Sequence, residues 1–157
     1  MTPIRHARLL VLWLASTIAP SCASSSAPAS IAGTAFSPEL AVDTTTMTPI
    51  RGGGWYRDLQ VGSGPEAMRG QTIGVYYIGM FPNGTEFDVT RAPEAPARIR
   101  LGSGQVIAGW DRGIPGMRVG GQRLLVLPPS LAYGSSGNAR IPPNSVLVFL
   151  IELVEVR

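Results

Sequence analysis

Alternation of apolar and polar positions divides most of this chain into short extended segments, separated by turns rich in glycine and proline. β-branched and aromatic residues dominate the segments, which indicates strands rather than helices. The pattern predicts strands over residues 55–61, 72–80, 85–88, 98–101 and 123–127. The pair Asn83-Gly84 favours a hairpin between the second and third of these strands, since tight hairpin turns need positive φ angles.

The last apolar segment, residues 145–157, differs from the others because both of its faces are largely apolar. Such a strand is predicted to lie in the middle of a sheet. One short helix is also predicted, because Val106, Ile107, Trp110 and Ile114 recur at spacings of three and four residues. The sum is an α+β domain with a predominantly antiparallel sheet and one helix.

Two glycines weaken the predicted helix. Gly109 and Gly113 would each cost an isolated helix up to about 1 kcal/mol relative to alanine. Their presence indicates that the helix packs closely against the sheet, where a side chain at either position would not fit.

The first residues carry the pattern of a secretory signal rather than of a fold. Arg5, His6 and Arg8 precede an apolar run over residues 9–19, which is shorter than the roughly 20 residues that a membrane-spanning helix needs. Small residues then lead to Cys22, the single cysteine of the sequence. This stretch resembles the lipobox of bacterial lipoproteins, in which the cysteine becomes the lipidated N-terminus.

This pattern predicts three regions: a signal peptide over residues 1–21, a lipid-anchored flexible arm over 22–46, and a folded domain over 47–157. The arm is assigned by its richness in serine, threonine, alanine and proline. The expected location is the periplasm, with a lipid anchor in the outer membrane. An ordinary signal peptide, giving a soluble periplasmic or secreted protein, is the alternative.

Composition excludes several kinds of chemistry. The 157 residues include 13 arginines and no lysine, against 10 acidic residues. The sequence contains no run of basic residues of the kind that would indicate nucleic-acid binding. The single histidine, His6, leaves with the predicted signal peptide. The mature chain therefore lacks histidine-dependent triads and His/Cys metal sites, and we expect no metal or cofactor. Paired-carboxylate chemistry stays formally open, although the acidic residues are scattered.

A series of short motifs places apolar and aromatic residues at the ends of elements and in loops. The motifs are VYYIGM at 75–80, GTEFD at 84–88, QVIAGW at 105–110, AYG at 132–134, IPPN at 141–144 and LVF at 147–149. In this order they resemble the FKBP-type peptidyl-prolyl cis-trans isomerases, and in particular their bacterial lipoprotein branch. The resemblance runs from about Thr72 to Arg157. It implies a curved antiparallel sheet wrapped around one short α-helix.

The resemblance also implies roles for individual residues. Trp110 would form the floor of a proline pocket, and Ile141 would cap it from a loop. Tyr133 through its hydroxyl, and Ile107 through its backbone N–H, would donate to substrate carbonyls. Asp88 would be a polar wall group held by its neighbours. The apolar walls would be Tyr77, Phe87, Val106, Ile107 and Phe149.

One wall departs from the family. Ala97 and Ile99 stand where the family usually carries an aromatic pair. This wall should therefore be more open, which bears on the affinity for substrates and for macrolide ligands.

The implied activity is acceleration of X-Pro isomerisation in envelope proteins. The partners would be unfolded or folding polypeptides that contain proline. Rotation about a peptide bond faces a barrier of about 18–20 kcal/mol, and an apolar cleft can lower it by disfavouring the planar, more polar amide. The alternative is a noncatalytic module or holdase that binds proline-containing peptides in the same cleft.

Overall fold

The computed structural model describes residues 30–157. In this part of the chain seven strands form one sheet, with a single α-helix between the fifth and sixth strands. The elements are β1 (Thr48–Ile50), β2 (Gly54–Gln60), β3 (Thr72–Met80), β4 (Glu86–Thr90), β5 (Ala97–Arg100), α1 (Ala108–Gly113), β6 (Gln122–Leu127) and β7 (Leu147–Val156). Short 3-10 turns span Pro38–Leu40 and Pro129–Leu131. No helix within residues 30–157 is long and apolar enough to cross a membrane.

Every strand pair in the sheet is antiparallel, in the order β1-β2-β6-β7-β3-β4, with β5 paired to β3. This confirms the predicted α+β class. β7 lies between β6 and β3, which explains why it is apolar on both faces. Its inner face packs on the helix, and its outer face contributes Val148 to a second apolar cluster.

The bounds of several elements differ from the predicted ones by a few residues. β3 has the predicted bounds, whereas β4 ends two residues later and β5 begins one residue earlier than expected. The helix begins at Ala108, because Ile107 has an extended backbone with φ −56° and ψ 146°. β1 was not predicted, since its three residues are too few for alternation to show.

The helix lies very close to the inner face of the sheet, as its glycines indicated. A Cβ atom placed on Gly109 would lie 2.4 Å from Cδ1 of Leu127. On Gly113 it would lie 2.8 Å from Cδ2 of Leu125. Both leucines are fully buried in the main core, so neither side chain can move into solvent. This close approach brings Trp110, between the two glycines, against the sheet.

Gly109→Ala is expected to lower the free energy of unfolding by about 1–3 kcal/mol, although alanine favours helices, because the added methyl group overpacks the core. Urea unfolding measures the change. Leu127→Ala makes room for that methyl group, so the double variant should be less destabilised than the sum of the two single variants. Simple additivity would contradict the proposed close contact.

Residues 30–46, which belong to the predicted arm, lie against the outer face of the sheet. Ile31 and Met47 are buried there with Leu124, Val126 and Val148. The apolar residues that make these contacts are widely spaced among serines and threonines, so the composition of the segment did not indicate that it packs on the sheet. The predicted signal peptide, the start of the arm and the lipidated cysteine, Cys22, lie outside the described residues.

Backbone groups of the arm also form hydrogen bonds with two separate parts of the sheet. The N–H of Ser37 donates to the carbonyl of Pro82 at 2.8 Å, in the turn between β3 and β4. Arg57 of β2 donates through Nη2 to the carbonyl of Ala41, also at 2.8 Å. The arm therefore crosses the outer face from β2 to the β3–β4 turn, on the side of the sheet away from the helix.

Candidate functional site

A cleft of about 440 Å³ opens between the helix and the inner face of the sheet. Its lining comes from five of the elements and from two loops. The sheet contributes Tyr77, Asp88, Ala97, Ile99 and Phe149; the helix and the segment before it contribute Gln105, Val106, Ile107 and Trp110; the β6–β7 loop contributes Tyr133. The cleft has the size and the largely apolar lining of a small-ligand site.

Aromatic rings in edge-to-face contact build one side of this cleft. The centroid of the Trp110 ring lies 5.0 Å from that of Tyr77 and 5.4 Å from that of Phe149, with interplanar angles of 82° and 85°. Phe87 packs in the same way behind Phe149, at 5.7 Å and 88°. Such contacts stabilise aromatic pairs beyond their buried area, so the side of the cleft is preorganised.

Trp110 lines the cleft with only 6% of its surface exposed. Its indole Nε1 is fully buried and has no hydrogen-bond partner within residues 30–157. An unpaired buried N–H costs about 1–3 kcal/mol of stability. The tryptophan at this position therefore lowers the stability of the domain relative to a side chain that buries no unpaired N–H.

Two hydroxyl groups and one carboxylate are among the polar groups of the cleft. Tyr77 on β3 donates its hydroxyl proton to Oδ2 of Asp88 on β4 at 2.7 Å. The other carboxylate oxygen accepts the backbone N–H of Val89 at 3.1 Å. Asp88 is thus oriented by its neighbours. The Tyr133 side chain is 37% exposed at the cleft, so its hydroxyl is accessible to a ligand.

Both tyrosines of the cleft hold their protons tightly. Burial raises the pKa of Tyr77 to about 12, and the hydrogen bond to Asp88 adds to the rise. Burial, followed by the negative charge of Asp88, also raises the pKa of Tyr133. Both hydroxyl groups therefore remain proton donors at neutral pH.

The raised pKa of Tyr77 predicts a loss of stability at high pH. The unfolded tyrosine, with a pKa of 10.0, loses its proton before the folded one, with a pKa of about 12. The stabilisation is therefore complete below pH 10 and is lost as the pH rises through 12. Tyr77→Phe should flatten this dependence in urea unfolding, and should remove the last-ionising component from a tyrosinate absorbance titration. An unchanged titration would contradict the burial of this hydroxyl.

The segment before the helix is held in place by the helix itself. The Asp111 carboxylate accepts the backbone N–H of Gly102 at 2.7 Å and that of Gly104 at 3.1 Å. Ile107 precedes the helix, and its carbonyl accepts the N–H of Trp110 at 3.0 Å. Since the first N–H groups of a helix have no partner within it, the N–H of Ile107 is not used by the helix.

The structure places seven of the nine predicted site residues in the lining of the cleft, and the other two pack in the adjoining core. Phe87 supports the ring of Phe149 from behind, and Ile141 is buried with 3% exposure; neither lines the cleft. Ala97 and Ile99 do line it, as an aliphatic wall. Sequence reasoning gave no role to Gln105, although this residue stands in the recognised motif at 105–110. It also missed Asp111, which holds the loop before the helix through the N–H groups of Gly102 and Gly104.

Residues 64–154, more than half of the chain, match the model of one protein family, described as FKBP-type peptidyl-prolyl cis-trans isomerase. An FK506-binding protein of Streptomyces anulatus is 46% identical over 103 residues, covering 64% of this chain and 83% of that protein. One from Neisseria meningitidis serogroup B is 46% identical over 106 residues, covering 67% and 97%. The chain spans only 21% to 30% of several longer relatives.

Among solved structures, the crystal structure of AtFKBP13 is similar, with a TM-score of 0.64 and 41% sequence identity. The match covers 71% of this chain and 98% of that one. The family match at residues 64–154 includes the helix and all the residues that line the cleft.

Proposed function

Because the chain belongs to the FKBP-type peptidyl-prolyl cis-trans isomerases, we propose that the cleft around Trp110 is the active site of its isomerase domain. The carrying observation is that Trp110, Phe149, Tyr133 and Ile107 all line this one cleft. The first two offer an apolar bed for a proline ring. The hydroxyl of Tyr133 and the N–H of Ile107 are the donors that would hold the carbonyl groups on either side of the ring.

The proposed mechanism needs no bond to break. Amide resonance makes the planar peptide more polar than the twisted one and sets a barrier of about 18–20 kcal/mol. Apolar walls disfavour the planar form, and donors placed for the twisted form bind it more tightly, so the transition state is stabilised over the ground state. Each tenfold acceleration requires about 1.4 kcal/mol of such differential binding. Asp88 takes no proton in this scheme and fixes the ring of Tyr77.

Tyr133→Phe tests the proposed donor, because it removes a hydroxyl and leaves the ring. We expect kcat/KM for a Leu-Pro peptide, measured by exchange NMR without a coupling protease, to fall about 3- to 10-fold, the worth of one hydrogen bond. Tyr76→Phe is the matched control, since the Tyr76 hydroxyl donates to the carbonyl of Glu94 at 3.0 Å and does not line the cleft. Equal losses in both variants would contradict the role of Tyr133. Binding without acceleration by the unaltered protein would favour the noncatalytic alternative.

The same cleft is proposed to bind macrolides such as FK506, in keeping with the names of the relatives. Ala97 and Ile99 give the macrolide an aliphatic wall. FK506 should compete with the Leu-Pro peptide, and Ala97→Phe should tighten its binding by adding apolar contact. Titration of FK506 against the isomerisation rate measures both. Inhibition that does not depend on peptide concentration would place the macrolide elsewhere.

The biological setting is proposed from the sequence alone. An N-terminal signal and the lipobox-like stretch ending at Cys22 support a lipid-anchored isomerase that acts on envelope proteins in the periplasm. Metabolic labelling with a radioactive fatty acid tests this in a bacterial host. The label should enter the unaltered protein and be lost in Cys22→Ser. A protein that carries no label but is exported would have the ordinary signal peptide.

A further inference from the structure

Asp88 is the one residue with a formal charge among the ten that line the cleft. Its carboxylate is partly buried and accepts two hydrogen bonds, from the hydroxyl of Tyr77 and from the N–H of Val89. Both donors are neutral groups. The negative charge is therefore oriented by these contacts but is not neutralised by them.

The arginines that form ion pairs within residues 30–157 pair with other carboxylates. Arg91, three residues after Asp88, instead donates to Glu86 at 2.6 Å. The remaining pairs are Arg118 with Glu66, Arg123 with Asp58, and both Arg98 and Arg157 with Glu155. Asp88 has no such partner in the described part of the chain. A carboxylate drawn partly out of water without a counter-ion is unfavourable.

The apolar walls of the cleft strengthen the electrostatic attraction between the Asp88 carboxylate and a nearby cation. Charges interact more strongly beside low-dielectric walls than in open water, and a cleft concentrates the field of a single charge. The response of the neighbouring side chains agrees with this. The negative charge of Asp88 adds to the effect of burial in raising the pKa of both Tyr77 and Tyr133.

From this geometry we propose that Asp88 selects prolines that adjoin a lysine or arginine, whose cationic group pairs with its carboxylate. The inference rests on the proposed function, that the cleft binds the proline. A cationic side chain suits the site in two ways. Its aliphatic stem can pack along the apolar lining, and its charged end can stay at the wet mouth of the cleft.

The test compares peptides that differ in one charge. One series is acetyl-Ala-Xaa-Pro-Phe-amide, with lysine, norleucine or glutamate at Xaa; the other carries the same residues directly after the proline. Exchange NMR gives kcat/KM for each peptide. In at least one series we expect lysine to exceed norleucine about 3- to 10-fold, as for a partly exposed charge-assisted pair. Glutamate should fall below norleucine, and added salt should shrink both differences.

Asp88→Asn removes the charge and keeps an oxygen that accepts the Tyr77 hydroxyl. The ratio of lysine to norleucine should then approach one, whatever happens to the absolute rates. Glu152→Gln is the matched control. It changes the net charge equally, but Glu152 lies on the opposite face of the sheet from the cleft, so the ratio should stay at its original value.

Two results would overturn the proposal: a lysine-to-norleucine ratio of one or less in both series, or a raised ratio that survives Asp88→Asn. The norleucine peptides keep this failure separate from that of the proposed function. If the unaltered protein accelerates them with no preference for lysine, the charge selection is wrong while the active site stands. If it accelerates none of the peptides, the proposed active site itself is wrong.

Discussion

Arg123→Met is expected to lower the free energy of unfolding by about 2 kcal/mol, because it removes the buried arginine of an ion pair whose carboxylate is 32% exposed. The Arg123 side chain is 4% exposed and binds Asp58 with both ends of its fork, Nε to Oδ1 at 2.6 Å and Nη2 to Oδ2 at 2.9 Å. Its third nitrogen donates to the carbonyl of Gly113 at 2.7 Å. Methionine fills the space but leaves the buried carbonyl of Gly113 without this donor, and an unpaired buried acceptor is costly.

The effect should reach the cleft, because Arg123 joins the helix to the sheet. Arg123 lies on β6 and Asp58 on β2, while Gly113 ends the helix that carries Trp110. The guanidinium group also stacks 4.1 Å from the centroid of the Tyr56 ring. Loss of this side chain would therefore loosen the attachment of the helix as well as the stability of the whole domain.

Urea unfolding measures the effect, with an unchanged m-value showing that the same surface is exposed. Arg118→Met is the matched control. Arg118 pairs with Glu66 at 3.1 Å, but the two side chains are 47% and 46% exposed, so its loss should cost less than about 1 kcal/mol. If Arg123→Met were no more damaging than this control, the desolvation of Arg123 would outweigh its hydrogen bonds.

Elements with strong local patterns could be predicted from the sequence, and weakly patterned ones could not. β3 was predicted with its observed bounds because nine residues rich in β-branched and aromatic side chains lie between turn residues. The central position of β7 followed from its two apolar faces. β1 has three residues and is defined by its pairing with β2 across a glycine turn, which no local pattern reveals. The packing of residues 30–46 likewise depends on the distant surface of β6 and β7.

The residues of the candidate site likewise fall into those that local motifs predict and those that depend on the fold. Trp110, Tyr133 and Phe149 could be named because they stand in recognisable motifs that bring them to one cleft. Phe87 and Ile141 stand in equally clear motifs, but a single rotation or loop path decides whether such a side chain faces the cleft or supports it from behind. Other features of the site depend on the three-dimensional arrangement and could not be predicted from the sequence. Asp111 forms hydrogen bonds with a loop seven to nine residues earlier. Whether Asp88 has a counter-ion depends on which carboxylates the arginines reach in the folded chain.

Trp110→Leu is expected to produce the largest loss of activity, a fall in kcat/KM for a Leu-Pro peptide of about 30- to 100-fold. The indole lines the cleft and contacts the rings of Tyr77 and Phe149. Burying one large apolar surface is worth about 1.5–3 kcal/mol, and most of this contact with the proline ring would be lost. Trp110→Phe keeps an aromatic floor and also removes the unpaired Nε1. Trp110→Phe should therefore lose less activity than Trp110→Leu. It should also lose less stability than the smaller volume of phenylalanine alone would predict.

The matched control for this prediction is Trp55→Leu, the same substitution on the other face of the sheet. Trp55 packs with the arm in the outer apolar cluster and does not line the cleft. It should therefore lower the unfolding temperature while leaving kcat/KM within about twofold, since the loss of packing at a distant site adds independently. Exchange NMR well below both unfolding temperatures separates the two effects. A similar loss of activity in both variants would mean that Trp110 acts through the stability of the domain, and the floor of the active site would have to lie elsewhere in the cleft.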